Sequence, residues 1–244
     1  MQEQLYDYLH AIEEKHWWFL ARKKIILKLI DIYHARNEQD KILDVGCGTG
    51  MMLKALEEYG TVWGLDTSEK AVRYSAEKAP GARMILGSFP RDLPRDSFDI
   101  ITVLDVLEHI DEDAKALAAL KGVLAPDGIA VITVPAYQWL WTNHDLANEH
   151  KRRYTVPELK QKILDAGLTI TKISYYNTFL FLPVALSKLV NRSFFPQTQS
   201  HFGATPPPKW INRTFETIFS FEKRLLPFVN FPFGVSVIAV VRRT

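Results

Sequence analysis

Three glycines at alternate positions, Gly46, Gly48 and Gly50, separate a short apolar run, Ile42-Leu43-Asp44-Val45, from a helical stretch that begins at Met51. A strand running into a glycine turn and then a helix lets backbone approach a ligand where side chains would block it. The helix start adds unpaired N–H groups. Spacing narrows the ligand. The third glycine comes earlier than in the G-x-G-x-x-G of dinucleotide sites, and Met51-Met52 stand where a phosphate loop needs Lys and Ser or Thr. Asp44 lies within the strand end, and Asp66 closes the next apolar run, Val62-Trp63-Gly64-Leu65. Asp66 follows Gly46 by about 20 residues, the offset at which a carboxylate meets a ribose hydroxyl. The pattern points to a ligand with a ribose and no pyrophosphate.

A second set of residues could move protons. Imidazole is the side chain whose ordinary pKa suits a general base near neutral pH. Of the 7 histidines, His109, His144 and His150 fall in segments that follow strand ends. They are the catalytic candidates, joined by Tyr154 from the same His/Arg/Tyr-rich segment. His109 could instead cap or pack at a helix start. Asp145, next to His144, could orient an imidazole. The spacing of His144, Asp145 and His150 matches no standard ligand motif, so no metal site is expected. Lys151-Arg152-Arg153 could pair with an anionic acceptor or lie in a solvated loop. Cys47 reads as a small residue in a tight turn, since no histidine is tied to it.

Near the N-terminus, His16-Trp17-Trp18-Phe19-Leu20-Ala21-Arg22 leads into Ile25, Ile26, Leu29, Ile30 and Tyr33 at helical spacing. Two adjacent tryptophans point in different directions on a helix, so one could cover a ligand while the other packs. Arg22, one turn on, could pair with the carboxylate of a bound amino-acid moiety or remain in solvent.

These residues need a scaffold that brings strand ends together. The reading is a helix over Gln2–Lys15, strands over Lys41–Val45, Thr61–Asp66, Ala82–Leu86, Ser97–Leu104, Ile129–Val134 and Leu168–Tyr176, and a last strand, Val235–Arg242. Helices fall at Met51–Tyr59 with Gly60 as C-cap, at Glu69–Lys78 behind Thr67 and Ser68, at Asp111–Leu124, and from Thr155 to Ala166 with Gly167 as stop. Ala125-Pro126-Asp127-Gly128 is expected to turn the chain. Alternating apolar strands and helices predict a doubly wound α/β sheet, whose ligands sit outside the carboxyl ends of the strands. That placement favours Asp105, Glu108 and His109. The expected organisation is an N-terminal helical segment over the cofactor site (1–40), a core (41–176), an inserted cap (177–233) and the last strand (234–244). The cap contains an apolar stretch at Phe179–Val190, a Pro-rich loop at Gln197–Lys209, and an amphipathic helix at Trp210–Leu226. Packing on the domain edge, a substrate lid, a homodimer face and peripheral membrane contact all remain open for it.

Composition bounds the rest. A formal net charge of +2 gives no electrostatic case for nucleic acid. One cysteine allows no internal disulfide, and the first residues lack the pattern of a secretory signal, so a cytoplasmic location is expected. No apolar run reaches the roughly 18–20 residues of a spanning helix.

Asp44-Val45-Gly46-Cys47-Gly48-Thr49-Gly50 matches every fixed position of (D/E)-x-G-x-G-x-G, the first motif of the class I S-adenosylmethionine (SAM) methyltransferases, and the chain resembles that family. The resemblance implies a Rossmann-like, doubly wound sheet of seven strands with the last antiparallel. It implies that Asp44, Gly46, Cys47, Gly48 and Gly50 line the methionine part of SAM, the part that Trp18 could cover and whose carboxylate Arg22 could meet. Asp66 would hold the ribose and Thr67 would lie beside the adenosine. The family usually has an acidic residue where Gly87-Ser88-Phe89 stands; here Ser88 and Phe89 take that place. Leu104-Asp105-Val106-Leu107-Glu108-His109-Ile110 looks like the fourth-strand motif of members acting on quinones and small molecules, which puts Leu104, Asp105 and His109 at the cofactor. His16–Arg22 and His144–Thr155 look like a narrower bacterial subgroup linked with cell-surface sugar or lipid assembly.

The function implied is methyl transfer from SAM to an oxygen, less readily a nitrogen or carbon, of a small molecule, saccharide or lipid-linked glycan intermediate. A non-catalytic SAM-binding module and an NAD-dependent dehydrogenase are the alternatives, the second disfavoured by the glycine spacing.

Overall fold

The computed structural model describes residues 3–194 and 207–243, with backbone alone at 3–4 and 188–194. Seven strands form one sheet: β1 (Lys41–Val45), β2 (Thr61–Asp66), β3 (Arg83–Leu86), β4 (Phe98–Leu104), β5 (Leu124–Pro135), β6 (Leu168–Tyr176) and β7 (Ser236–Arg243). Their order is β3-β2-β1-β4-β5-β7-β6. The first five strands run parallel, and β7 lies antiparallel between β5 and β6. This is the Rossmann-like sheet with an antiparallel last strand that the sequence implied.

The helices are α1 (Glu3–Ile12), α2 (Trp17–Tyr33), α3 (Met51–Leu56), α4 (Glu69–Lys78), α5 (Asp113–Val123), α6 (Asn143–Ala147), α7 (Val156–Asp165), α8 (Phe181–Phe194) and α9 (Lys209–Leu225). Among the described residues no helix is long and apolar enough to cross a membrane. Strands covered on both faces must be apolar on both. On one face Leu43, Val45, Ile101, Val103 and Ile132 pack with Leu117, Leu120, Leu159 and Ile163 of α5 and α7. On the other, Ile42, Ile100, Val131 and Ile238 pack with Ile25, Ile26, Leu29 and Ile30 of α2, Leu53 and Leu56 of α3, and Phe219 of α9.

Several boundaries differ from expectation. The 125–128 segment does not break the chain: β5 begins at Leu124, and the irregularity is taken up as a register shift between Phe98 and Ile100 on β4. Helix α3 ends at Leu56, and Gly60 does not cap it in the left-handed region. A side chain at Gly60 would press its Cβ to 2.1 Å from the Asp40 carbonyl oxygen, so close approach is what requires glycine there. Gly167 does end α7 with φ +70°. Ser68 caps α4 by accepting from the Ala71 N–H, and Thr155 and Glu158 form a reciprocal capping box on α7.

The amphipathic helix packs against the domain. Trp17 meets Phe215 and Phe219 edge-on, with centroids 5.5 and 6.0 Å apart. Asn212 Oδ1 accepts the Trp17 N–H at 2.9 Å, and Lys24 pairs with Glu216 at 2.6 Å. The expected 197–209 loop lies, up to residue 206, outside the described residues.

Candidate active site

The carboxyl ends of β1, β2 and β4 open into a cavity of about 980 Å³, roofed by α1 and α2. Gly46, Gly48, Asp66, Thr67, Ser88 and Phe89 line one part of it. Asp105, Glu108, His109, His144 and His150 line another. Cys47 and Leu104, expected at the cofactor, face a smaller adjoining cavity of about 130 Å³ together with Asp44 and Thr49. Gly46, Gly48 and Arg22 border both.

The glycine turn has the geometry its composition promised. Gly46 has φ +67°, and a Cβ there would lie 2.4 Å from Val106 Cγ2. Gly50 has φ +90°, and its Cβ would lie 2.8 Å from the Ser75 Cα. Both positions are closed to L side chains by conformation and by space. Asp66 ties the turn to the next strand. Its carboxylate accepts the Gly48 N–H at 2.9 Å, the Ser68 N–H at 3.0 Å and the Tyr6 hydroxyl at 3.4 Å. Burial raises its pKa, and the Ser68 and Gly48 N–H groups oppose that shift. A carboxylate offers about four lone-pair sites, so room remains for a hydroxyl of a ligand. Asp44 is fully buried, accepts the Thr102 hydroxyl at 2.6 Å, and is pushed up by burial to about 7 against the pull of that hydroxyl and of Arg22.

Trp18 and Trp17 diverge as adjacent helical residues must. Trp17 enters the packing with α9, while the Arg22 guanidinium lies over the Trp18 ring, 4.6 Å from its centroid. Arg22 pairs with Asp105 at 3.0 Å, and Asp105 Oδ1 also accepts the Thr133 hydroxyl at 3.1 Å. Arg22 Nε and Thr49 Oγ1 are buried with no hydrogen-bond partner. Buried polar atoms are rarely left so. Both border the smaller cavity, and they fit the charged amino-acid end of SAM. The Cys47 thiol is buried and pushed well up by that burial, so it is no nucleophile at neutral pH.

The proton-handling candidates separate. Thr142 and Asp145 cap α6 reciprocally, which turns the Asp145 carboxylate inward. It therefore meets His150 Nδ1 at 3.0 Å, and not His144, its neighbour in sequence. Arg153 neither faces an acceptor nor lies in a solvated loop: it grips Asp145 through Nε at 2.8 Å and a second nitrogen at 2.9 Å, and donates to the Ala136 carbonyl. Lys151 pairs with Asp111 and Arg152 with Asp113 at 3.2 Å, so all three cations of that run have acidic partners in the protein. Tyr154 is a correction. It does not line the cavity, is 2% exposed, and donates its hydroxyl to Asp113 at 2.8 Å. Its role is to join the segment after β5 to α5. His109 stacks edge-on with His150, centroids 4.7 Å apart, and burial and that neighbour lower its pKa to about 4.

Some features had no signal in sequence. Tyr6 reaches Asp66 from 60 positions away. Asp105, Tyr137, Glu149 and Asn177 take φ of 56–58°, and all but Tyr137 line the cavity. Non-glycine residues avoid that conformation, so the backbone strain gathers around the site. Glu108 is fully buried with both carboxylate oxygens unpartnered. Sequence placed Glu108 at this strand end with Asp105 and His109 but gave no sign that its carboxylate would lack a hydrogen bond.

Comparisons with known proteins agree with this geometry. Residues 43–132 match the family model described as "Methyltransferase domain". The chain is 33% identical over 95 residues to a ubiquinone biosynthesis O-methyltransferase of Thiobacillus denitrificans, covering 36% of this chain and 41% of the relative. It is 30% identical over 125 residues to the protein of that name in Coxiella burnetii, covering 46% and 53%. The chain thus spans about half the length of the curated relatives it matches. Among solved structures, a TehB-like SAM-dependent methyltransferase from Corynebacterium glutamicum superposes with a TM-score of 0.57 at 21% identity, covering 91% and 88%. A putative sarcosine dimethylglycine methyltransferase from Galdieria sulphuraria gives 0.63 at 16%, covering 93% and 86%. These likenesses show the fold. Residues 43–132 therefore match a methyltransferase-domain model, and the chain has the fold of the SAM-dependent methyltransferases it superposes on.

Proposed function

We propose that the chain transfers the methyl group of SAM to an oxygen of a small-molecule, saccharide or lipid-linked acceptor. The observation that carries this reading is one cavity with two chemistries: a glycine turn with Asp66 on one side, and three imidazoles on the other. Bound SAM supplies a methyl group on a sulfonium leaving group. Arg22, Thr49 and Asp66 would hold SAM, whose methyl would pass to the acceptor oxygen as the carbon–sulfur bond breaks and the sulfur keeps the electron pair. The chain's own work is then alignment, which can supply much of the acceleration, and removal of the hydroxyl proton by an imidazole. Oxygen is favoured over nitrogen or carbon as the acceptor because it makes use of those imidazoles, and the curated relatives are named as O-methyltransferases. Trp17, Phe19, Ile110 and Val184 give the cavity an apolar wall suited to a lipid-bearing acceptor. Leu182 and Leu186 of α8, 68% and 60% exposed beside Val184, support contact with a membrane that would hold one.

The test is calorimetric titration with SAM and S-adenosylhomocysteine, with NAD as control, followed by transfer assays on hydroxyl acceptors. Micromolar binding of the sulfur ligands, roughly −8 kcal/mol, and none of NAD is expected. His144→Ala and His150→Ala should abolish transfer while SAM still binds. Binding of NAD without SAM, or full turnover in both variants, overturns the proposal.

A further inference from the structure

We propose that Glu108, His109 and His150 form a binding site for a divalent transition-metal ion at the acceptor side of the cavity. One ligand atom from each lies within 4.8 Å of those of the other two. A metal with bonds of about 2.1 Å holds its ligands about 3–4 Å apart, so a small rotation of one side chain closes the set. The charges around Glu108 explain why a cation belongs there. Asp105 faces it as a like charge, and the cations facing it are Arg22 and Arg153. Arg22 is paired with Asp105 and Arg153 with Asp145. Neither contacts the Glu108 carboxylate, whose two oxygens have no hydrogen-bond partner. A buried carboxylate so placed is costly unless something positive meets it.

The imidazoles are prepared for the same task. Asp145 is held as a carboxylate by the bidentate grip of Arg153, so it can only accept, and His150 Nδ1 must carry the proton it donates. The lone pair of His150 is thereby fixed on Nε2, the nitrogen that lies 3.9 Å from Glu108 Oε1. A carboxylate on the far nitrogen is how ligand histidines are oriented and made more basic. His109 approaches from the 3-10 turn Leu107–His109, and the backbone bond from Lys151 N–H to the Glu108 carbonyl at 2.8 Å ties the two ligand-bearing segments together. Two imidazoles and one carboxylate suit Mn²⁺, Fe²⁺, Co²⁺ or Zn²⁺ and leave coordination positions open to an oxygen of the acceptor. In this arrangement His144 is the imidazole left to take the acceptor's proton. The use of the ion rests on the methyl-transfer reading; its binding does not.

The experiment uses untagged full-length protein stripped with a chelator and dialysed. Co²⁺ titration followed by visible absorption, and Mn²⁺ titration followed by electron paramagnetic resonance, should each give one ion per chain at micromolar affinity. SAM is titrated in parallel. Glu108→Gln, which keeps the shape and removes the carboxylate ligand, should fold, bind SAM and bind the metal at least tenfold more weakly; His150→Gln should do the same. Wild-type protein that binds SAM but neither ion overturns the metal site alone. Metal affinity unchanged in both variants also overturns it. Metal binding without SAM binding would sink the methyl-transfer reading and leave the site standing.

Discussion

Arg153→Met is the most informative single change to the scaffold behind the histidines. The Arg153 side chain is 3% exposed and its partner Asp145 is wholly buried. The substitution removes both guanidinium bonds to the carboxylate and the one to the Ala136 carbonyl, leaving Asp145 with His150 and the N–H and hydroxyl of Thr142. Breaking a buried pair from one side costs about 3–5 kcal/mol, because the remaining charge stays buried. At about 2–4 °C per kcal/mol for a chain of this size, the melting temperature should fall by about 6–20 °C. The double variant Arg153→Met/Asp145→Leu removes both charges and should regain most of that loss. Arg153 and His150 also hold the Asp145 carboxyl well below its usual range. That stability is present above the ordinary pKa of about 4 and is lost as pH falls through the folded value, so the deficit of the single variant should shrink as pH falls below about 4. Urea titration and scanning calorimetry at pH 7, pH 4 and pH 2 read all three effects. A single variant within a degree of wild type, or no recovery in the double variant, would refute the reasoning.

Tyr154→Phe removes a hydroxyl donated to the buried Asp113 carboxylate; denaturation should show a loss of about 1.5–3 kcal/mol, with turnover within a fewfold of wild type. Gly46→Ala meets both φ +67° and Val106 Cγ2, and calorimetry should show SAM affinity reduced more than tenfold, partly restored by adding Val106→Ala. Glu222 is buried and pushed up to about 7 by that burial, against three N–H donors from Asn177, Thr178 and Phe179. The folded chain therefore keeps a proton that the unfolded chain loses, and stability should fall by about 3 kcal/mol as pH rises from about 4.5 to 7. Glu222→Gln should flatten that slope in urea titrations across the window.

Much of this was legible because it depends on local spacing. The Gly46-x-Gly48-x-Gly50 turn, the Asp66 offset and the strand–helix alternation are short-range patterns, and the apolar face of Ile25, Ile26, Leu29 and Ile30 is written in consecutive turns. What escaped depends on which strand ends become neighbours. Adjacency suggested that Asp145 serves His144, but a helix cap turns it toward His150. The basic run read as free charge because its partners, Asp111, Asp113 and Asp145, are set by the fold. Glu222 carried no signal in sequence, because the backbone its carboxylate satisfies, at 177–179, is brought to it only by the fold. A turn signal at 125–128 lost to the pairing of β5 with β4, which absorbs the irregularity as a shift in register.

The place of β7 between β5 and β6 sets an order of assembly. As the chain emerges from the ribosome, β5 and β6 exist before the strand that joins them, each with an unpaired edge. The cap residues must come out first, and α9 among them completes the packing of Trp17, near the beginning of the chain. Helix α2 thus waits for α9, which follows it at long range, before the roof of the cavity can close, a route dominated by distant contacts and correspondingly slow. A nascent chain halted before β7 would carry the glycine turn complete and expose the β5 edge, which makes it a natural client for chaperones.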